Sequence, residues 1–114
     1  MTAQLKTRAV DKHLYSNYLK RAEECFHAAT HSFNSREWNA ATINAIHACI
    51  SGCDAMCVYF LGKRHAGESH NEAAALFRTI KSDAENINAN ANRIARILSI
   101  KNIAEYEDRL VFRS

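Results

Sequence analysis

The chain contains no proline and only three glycines in 114 residues. Residues that interrupt helices are therefore almost missing, and long helices are free to run. β-branched residues are mostly isolated isoleucines inside helical patterns, so no strand is expected. An apolar run of membrane-spanning length is also lacking, because Asn44, His47 and Asp54 interrupt the most apolar segment. Met1 to Lys12 shows no hydrophobic stretch of the kind a secretory signal needs, so a cytoplasmic location without membrane contact is expected. The four cysteines include no Cys-x-x-Cys pair. Cys49, Cys53 and Cys57 recur every fourth residue on one helix, a spacing that rarely meets disulfide geometry, and Cys25 sits on another. They read as buried apolar thiols, with neither a metal site nor a cofactor implied. Charge of one sign is not in large excess: 15 Lys and Arg stand against 12 Asp and Glu, a net of +3. That balance permits contact with nucleic acid but lacks the dense basic patch of a dedicated binder.

What is present is apolar surface at helical spacing. The length and the 47% hydrophobic content suit one domain with one core. After a frayed lead-in to about Val10, Leu14, Tyr18, Leu19, Ala22, Phe26 and Ala29 lie on one face of a helix running from Asp11 to about Ser32. Asn34 or Ser35 is expected to cap the next helix, which runs from about Arg36 to a natural stop at Gly62. A short basic link follows. Ser69 with Glu72 forms a capping box for a short third helix carrying Leu76, Phe77 and Ile80. The asparagine-rich stretch from Ser82 to Asn92 blurs the start of a fourth helix, which falls between Asp83 and Asn90. Lys101-Asn102 marks either a break or a continuation, with one or two last turns from Ala104 to Leu110. The expected fold is all-α: an up-and-down four-helix bundle with a short C-terminal helical extension, in a single domain.

The second helix is the hub of this pattern. Apolar or small residues cover most of its circumference, so other helices must wrap it. Asn44, His47, Ser51 and Asp54 form a narrow polar stripe along it, and Ala41, Ala45, Ala48, Gly52 and Ala55 form a smooth groove beside the stripe. The groove serves either an intramolecular contact or a dimer seam. One small bundle cannot cover all of this apolar arc, which favours a homodimer. His47, Ser51 and Asp54 are candidate binding residues; Lys63, Arg64 and His65, with Arg93 and Arg96, are a candidate anion-binding edge.

Four stretches in this order resemble the HEPN family of small helical domains. They are Ser35-Arg36-Glu37-Trp38-Asn39-Ala40-Ala41, Ala45-Ile46-His47-Ala48 through Asp54-Ala55, Ser69-His70-Asn71-Glu72-Ala73, and Lys101-Asn102-Ile103-Ala104-Glu105-Tyr106. The likeness covers roughly residues 12 to 110. It implies a helical bundle that often pairs as a two-fold dimer. It also implies either a metal-independent RNase, frequently in toxin–antitoxin or defence systems, or a descendant that keeps nucleotide binding or protein interaction without activity. Active members carry Arg, four to six residues, then His late in the bundle. Here Lys101-Asn102 stands at the Arg-polar position and Tyr106 at the histidine position. A phenol of reference pKa about 10 moves protons poorly near neutral pH, and lysine lacks arginine's planar fork. Arg64 and His70 satisfy the spacing by count, but they flank a loop between the second and third helices.

The expectation is a HEPN-like module, non-catalytic or weakly catalytic, associated with RNA or nucleotide in a prokaryotic stress, defence or toxin–antitoxin setting. Lys101, Asn102 and Tyr106 form its degenerate motif, and a cognate antitoxin or nucleotidyltransferase is the implied partner. The alternatives are an active RNase toxin built on Arg64 with His70 or His47, and a protein-interaction adaptor with no nucleic-acid role.

Overall fold

The computed structural model describes residues 5–67 and 71–106, the side chains of 71 and 100–106 excepted. Along the described residues the order is strand β1 (Thr7–Ala9), a 3-10 turn (Lys12–Leu14), helices α1 (Tyr15–Asn34) and α2 (Trp38–Leu61), strand β2 (Lys63–His65), and helices α3 (Asn71–Arg78) and α4 (Ala84–Tyr106). The chain is mostly helical, as its composition requires. The expectation of a wholly helical chain is corrected by the two strands, which pair antiparallel with Thr7 opposite His65, Arg8 opposite Arg64 and Ala9 opposite Lys63. The segment expected to be a frayed lead-in is thus tied to the link after α2. Backbone bonds from Val10 N to Gly62 O and from Ala66 N to Lys6 O, both 3.0 Å, close the ribbon at each end. A pairing of three residues is too short to leave an alternating pattern in the sequence.

Helix α1 lies antiparallel along α2. Tyr15 meets Tyr59 edge to face at 5.0 Å at one end, and Phe33 meets Trp38 at 5.4 Å at the other. Between them Gly52 brings the backbones together: a Cβ built on it would sit 4.0 Å from Ala22 Cβ. The turn between these helices is not capped by Asn34 or Ser35 as expected. Glu37 takes the N-cap position without a side-chain bond. Arg36 adopts φ 60°, and Glu37 N donates to Ser32 O at 2.9 Å. Gly62 does end α2, in the left-handed conformation at φ 69°, with its N–H donating to Val58 O.

The core sits on the other flank of α2. Cys53 and Cys57 pack with Ala73, Ala74, Leu76 and Phe77 of α3 and with Ile87, Ala91, Ile94 and Leu98 of α4. Two of the four cysteines are therefore buried core thiols, while Cys25 and Cys49 are half-buried. Helix α4 begins inside the expected bracket. Asp83 accepts Asn86 Nδ2 at 2.6 Å on its carboxylate and Ile87 N on its carbonyl, which offsets the weak helix propensity of the asparagines. The helix continues through Lys101-Asn102, so there is no break there. Beyond Tyr106 the expected last turns lie outside the described residues, as does Ser69 of the expected capping box.

Among the described residues helix α1 packs chiefly on α2, and only its Ala29 and Ser32 are buried. Helix α2 is clad by α1 on one side and by α3 and α4 on another, with one face left open. By length and mean hydropathy, 24 residues and 1.3, α2 does reach what a bilayer crossing requires, although Asn44, His47 and Asp54 were expected to keep it below.

Two substitutions measure this scaffold by urea unfolding. Phe77, 2% exposed, anchors α3 on α2 and α4; Phe77→Ala is expected to lose about 3–5 kcal/mol. Gly62→Ala, forced into the left-handed region, is expected to lose about 1–2 kcal/mol.

Candidate functional site

The polar stripe of α2 does not act as one unit. Asn44 turns back on its own helix, with Nδ2 donating to Ala40 O at 3.0 Å. Ser51 is buried and His47 is exposed. Asp54 joins other charged groups, because the ribbon folds over that flank of α2. Arg64 and His65 come from β2, and Arg21 comes from α1. Of the residues expected to bind, Asp54 and Arg64 are thus brought together, while His47 and Ser51 stay apart from them in exposure and role.

The electrostatics of this cluster are unequal. Partial burial pushes the Asp54 carboxyl up from 3.8 to about 6, and the cations Arg64, His65 and Arg21, in that order, pull it back only in part. Arg64 Nη1 donates to His65 O at 3.1 Å, while its Nε is buried with no hydrogen-bond partner among the described residues. His65 is 7% exposed, and its Nε2 stands 3.4 Å from Glu72 Oε2. Gly67 lies against that pair so closely that a Cβ there would stand 2.7 Å from the Glu72 oxygen and 3.0 Å from the His65 nitrogen. Glu72, the described half of the expected capping box, ties α3 to the ribbon through His65.

Arg8 stands directly opposite Arg64 across the ribbon, so the two occupy the same face. Like charges in this position repel. Arg8 also lines a hollow of about 470 Å³ with Val10, Asp11, Leu14, Tyr18 and Gly62. The Arg21 guanidinium lies over the Tyr18 ring, 5.6 Å from its centre. A flat aromatic ring, a stacked guanidinium and two further arginines suit a phosphate with an attached base or sugar better than a neutral ligand. Arg8 and Arg21 are the residues that sequence reasoning missed. A single arginine in a three-residue strand carries no periodic signal, and Arg21 reads as an ordinary solvated position on α1.

The other candidates fall elsewhere. Lys101, Asn102 and Tyr106 occupy the last turns of α4, and their side chains lie outside the described residues. His70 lies outside the described residues as well, so no Arg64–His70 pair is seen. Arg93 does not reach the ribbon cluster: it donates to Asn90 Oδ1 at 2.9 Å and lines an apolar hollow between α1, α2 and α4. Among the described residues no group of three or more His, Cys, Asp or Glu is arranged to hold a metal ion. Cys53, bonded to the Ala73 carbonyl at 3.7 Å, has its thiol pKa driven upward by the Cys57 contact and by burial, the reverse of what a nucleophile needs.

No family model matches the chain, and neither a curated protein nor a solved structure matches it.

The Asp54 shift has a pH consequence. The folded chain holds this proton up to about pH 6, whereas an unperturbed carboxyl releases it near 3.8. In that window the folded state binds more protons, so its stability falls as pH rises. Asp54→Asn removes the titration. The variant is expected to unfold at a higher temperature than the parent at about pH 7.5, with the gap closing as pH drops through about 6. Calorimetry across that range checks it; a gap independent of pH would contradict the burial of this carboxyl.

Proposed function

We propose that this chain is a HEPN-like up-and-down helical bundle that binds the phosphates of RNA or of a nucleotide on its two-stranded ribbon. It does so with little or no catalysis of its own. The observation that carries the reading is the placement of Arg8 opposite Arg64, with Arg64 and Arg21 both acting on Asp54. Two cations set directly opposite one another on one ribbon face repel, and an anion bound between them relieves that repulsion. Folding that nonetheless sets them together is better accounted for by a polyanionic ligand than by the scaffold's own needs. Asp54 carries a charge that attracts Arg64. Tyr18, covered by Arg21, offers a ring on which a base can stack.

The reading fits a stress, defence or toxin–antitoxin setting in a prokaryote. A second copy and a cognate antitoxin or nucleotidyltransferase are its partners, following the resemblance of the four stretches described above. The weak side of the reaction chemistry is the late motif: Lys101 and Tyr106 supply neither the guanidinium fork nor the imidazole that transfer of the 2′-hydroxyl proton favours.

Fluorescence anisotropy with a labelled single-stranded RNA across a potassium chloride series tests this. Arg8→Ala and Arg64→Ala are each expected to weaken binding about five- to tenfold, regardless of RNA sequence. Each is also expected to lower the slope of log K against log salt by about 1. The RNA should emerge intact from the incubation. Binding without salt dependence would sink the phosphate reading. Robust cleavage lost in Lys101→Ala or Tyr106→Phe would replace the binding module with a nuclease, and cleavage lost only in Arg64→Ala or His70→Ala would place its chemistry at the ribbon.

A further inference from the structure

The apolar hollow between α1, α2 and α4 takes no part in the phosphate reading. It holds about 630 Å³, inside the range of about 300–1,000 Å³ that small-molecule sites span. Its lining follows α2 from Ala48 to Phe60, about 18 Å at 1.5 Å per residue. A volume of about 630 Å³ drawn out over that length has a mean cross-section of about 35 Å². That is the section of one slender chain, and it is less than half that of a helix with side chains about 10–12 Å across. The floor reaches the buried core residues Cys53 and Phe77, while the exposed Leu19 and Met56 stand at the sides. Polar groups are few and of one sign. No aspartate or glutamate lines the hollow among the described residues, and Arg93 with Asn90 stands at its α4 edge. Tyr59 also lines it, and Lys12 Nζ lies 4.5 Å from the centre of that ring.

We propose that this hollow binds a medium-chain fatty carboxylate, with the alkyl chain laid along α2 and the carboxylate held by Arg93. At about 30 Å³ for each water-sized unit, a chain of about twelve carbons takes up roughly 360 Å³, so it fits with room for its head. The alkyl chain leaves water for an apolar wall, which is the main source of affinity. The head finds a cation. Arg93 donates one bond to Asn90 Oδ1 at 2.9 Å, which holds the side chain at the mouth, and the guanidinium has further N–H donors for a carboxylate. With Lys12 over Tyr59 and no acid in the lining, the field at the edges favours an amphiphile with a negative head over one with a positive head.

The proposal stands apart from the phosphate reading. Gly52 lines the hollow, and Asp54, two residues on at about 100° per residue, points about 200° away around α2. The hollow and the ribbon cluster therefore lie on opposite flanks of this helix.

Isothermal titration of the full chain with octanoate, decanoate and dodecanoate, each below its micellar concentration, tests it. One molecule is expected to bind per chain, about fourfold tighter for each added methylene. Arg93→Glu, an exposed substitution, is expected to weaken dodecanoate about tenfold or more and to let dodecylammonium bind in its place. Ala48→Phe, which fills the hollow, is expected to abolish the uptake of both, with far-UV circular dichroism showing that each variant folds. A parent that takes up none of the three carboxylates overturns the proposal. So does an affinity indifferent to chain length, or dodecanoate binding that Arg93→Glu and Ala48→Phe leave as in the parent. Uptake that disappears as the chain self-associates in sedimentation velocity gives the hollow to a second copy and overturns it too. A parent that binds dodecanoate but no RNA keeps this proposal and loses the phosphate reading, and one that binds RNA but no carboxylate does the reverse.

Discussion

Everything in this molecule answers to the apolar circumference of α2. A 24-residue helix with mean hydropathy 1.3 cannot stand in water with its sides bare. One flank is buried by α3 and α4 through Cys53, Cys57, Phe77, Ala91 and Ile94, where side chains of different size fill the space between three helices. A second flank is covered by α1, which approaches closely because Gly52 and Ala22 keep side chains out of the way. Helix α1 is amphipathic but contributes little to the core proper, with only Ala29 and Ser32 buried. It acts as cladding for α2 and as the carrier of an exposed apolar stripe.

The polar flank of α2 obeys a different constraint. Asp54 sits where desolvation already disfavours its charge, and a buried carboxylate needs cations close by. The chain supplies them from three places: Arg21 from α1, and Arg64 and His65 from the strand that follows α2. That strand is held in position by β1 at the beginning of the chain and by Glu72 of α3 through His65. A small ribbon thereby joins the N-terminal segment, the end of α2 and the start of α3 around one carboxylate. The same ribbon sets Arg8 directly opposite Arg64, two like charges on one face of a three-residue pairing.

Much of the helical layout was legible from residue spacing. Gly62 ended α2 as its left-handed preference dictates, α4 began at Ala84 within the expected bracket, and Leu76, Phe77 and Ile80 of the third helical segment were rightly set on its buried face. The misses share a cause. Asn34 and Ser35 looked like caps, but the turn is closed by Arg36 in a left-handed conformation and by backbone bonds to Ser32 and Phe33, which side-chain identity does not announce. At the candidate site, the stripe on α2 was visible as a column of polar residues, yet its members part ways. Asn44 satisfies itself on its own helix, Ser51 is enclosed, His47 is exposed, and Asp54 meets cations from elsewhere.

By itself, then, the sequence determined that the chain is helical, where its long helices run, that α2 is too apolar to stand uncovered, and that small residues line one of its sides. These properties depend on contacts three and four residues apart, and the spacing of residue types carries them. Tertiary structure alone decided that Thr7–Ala9 is a strand, that it pairs with Lys63–His65, and that Arg21, Arg64 and His65 gather around Asp54. Those meetings join segments distant along the chain. Their partners are chosen by which flank of α2 each segment can reach once the helices have packed, and no local pattern encodes that choice.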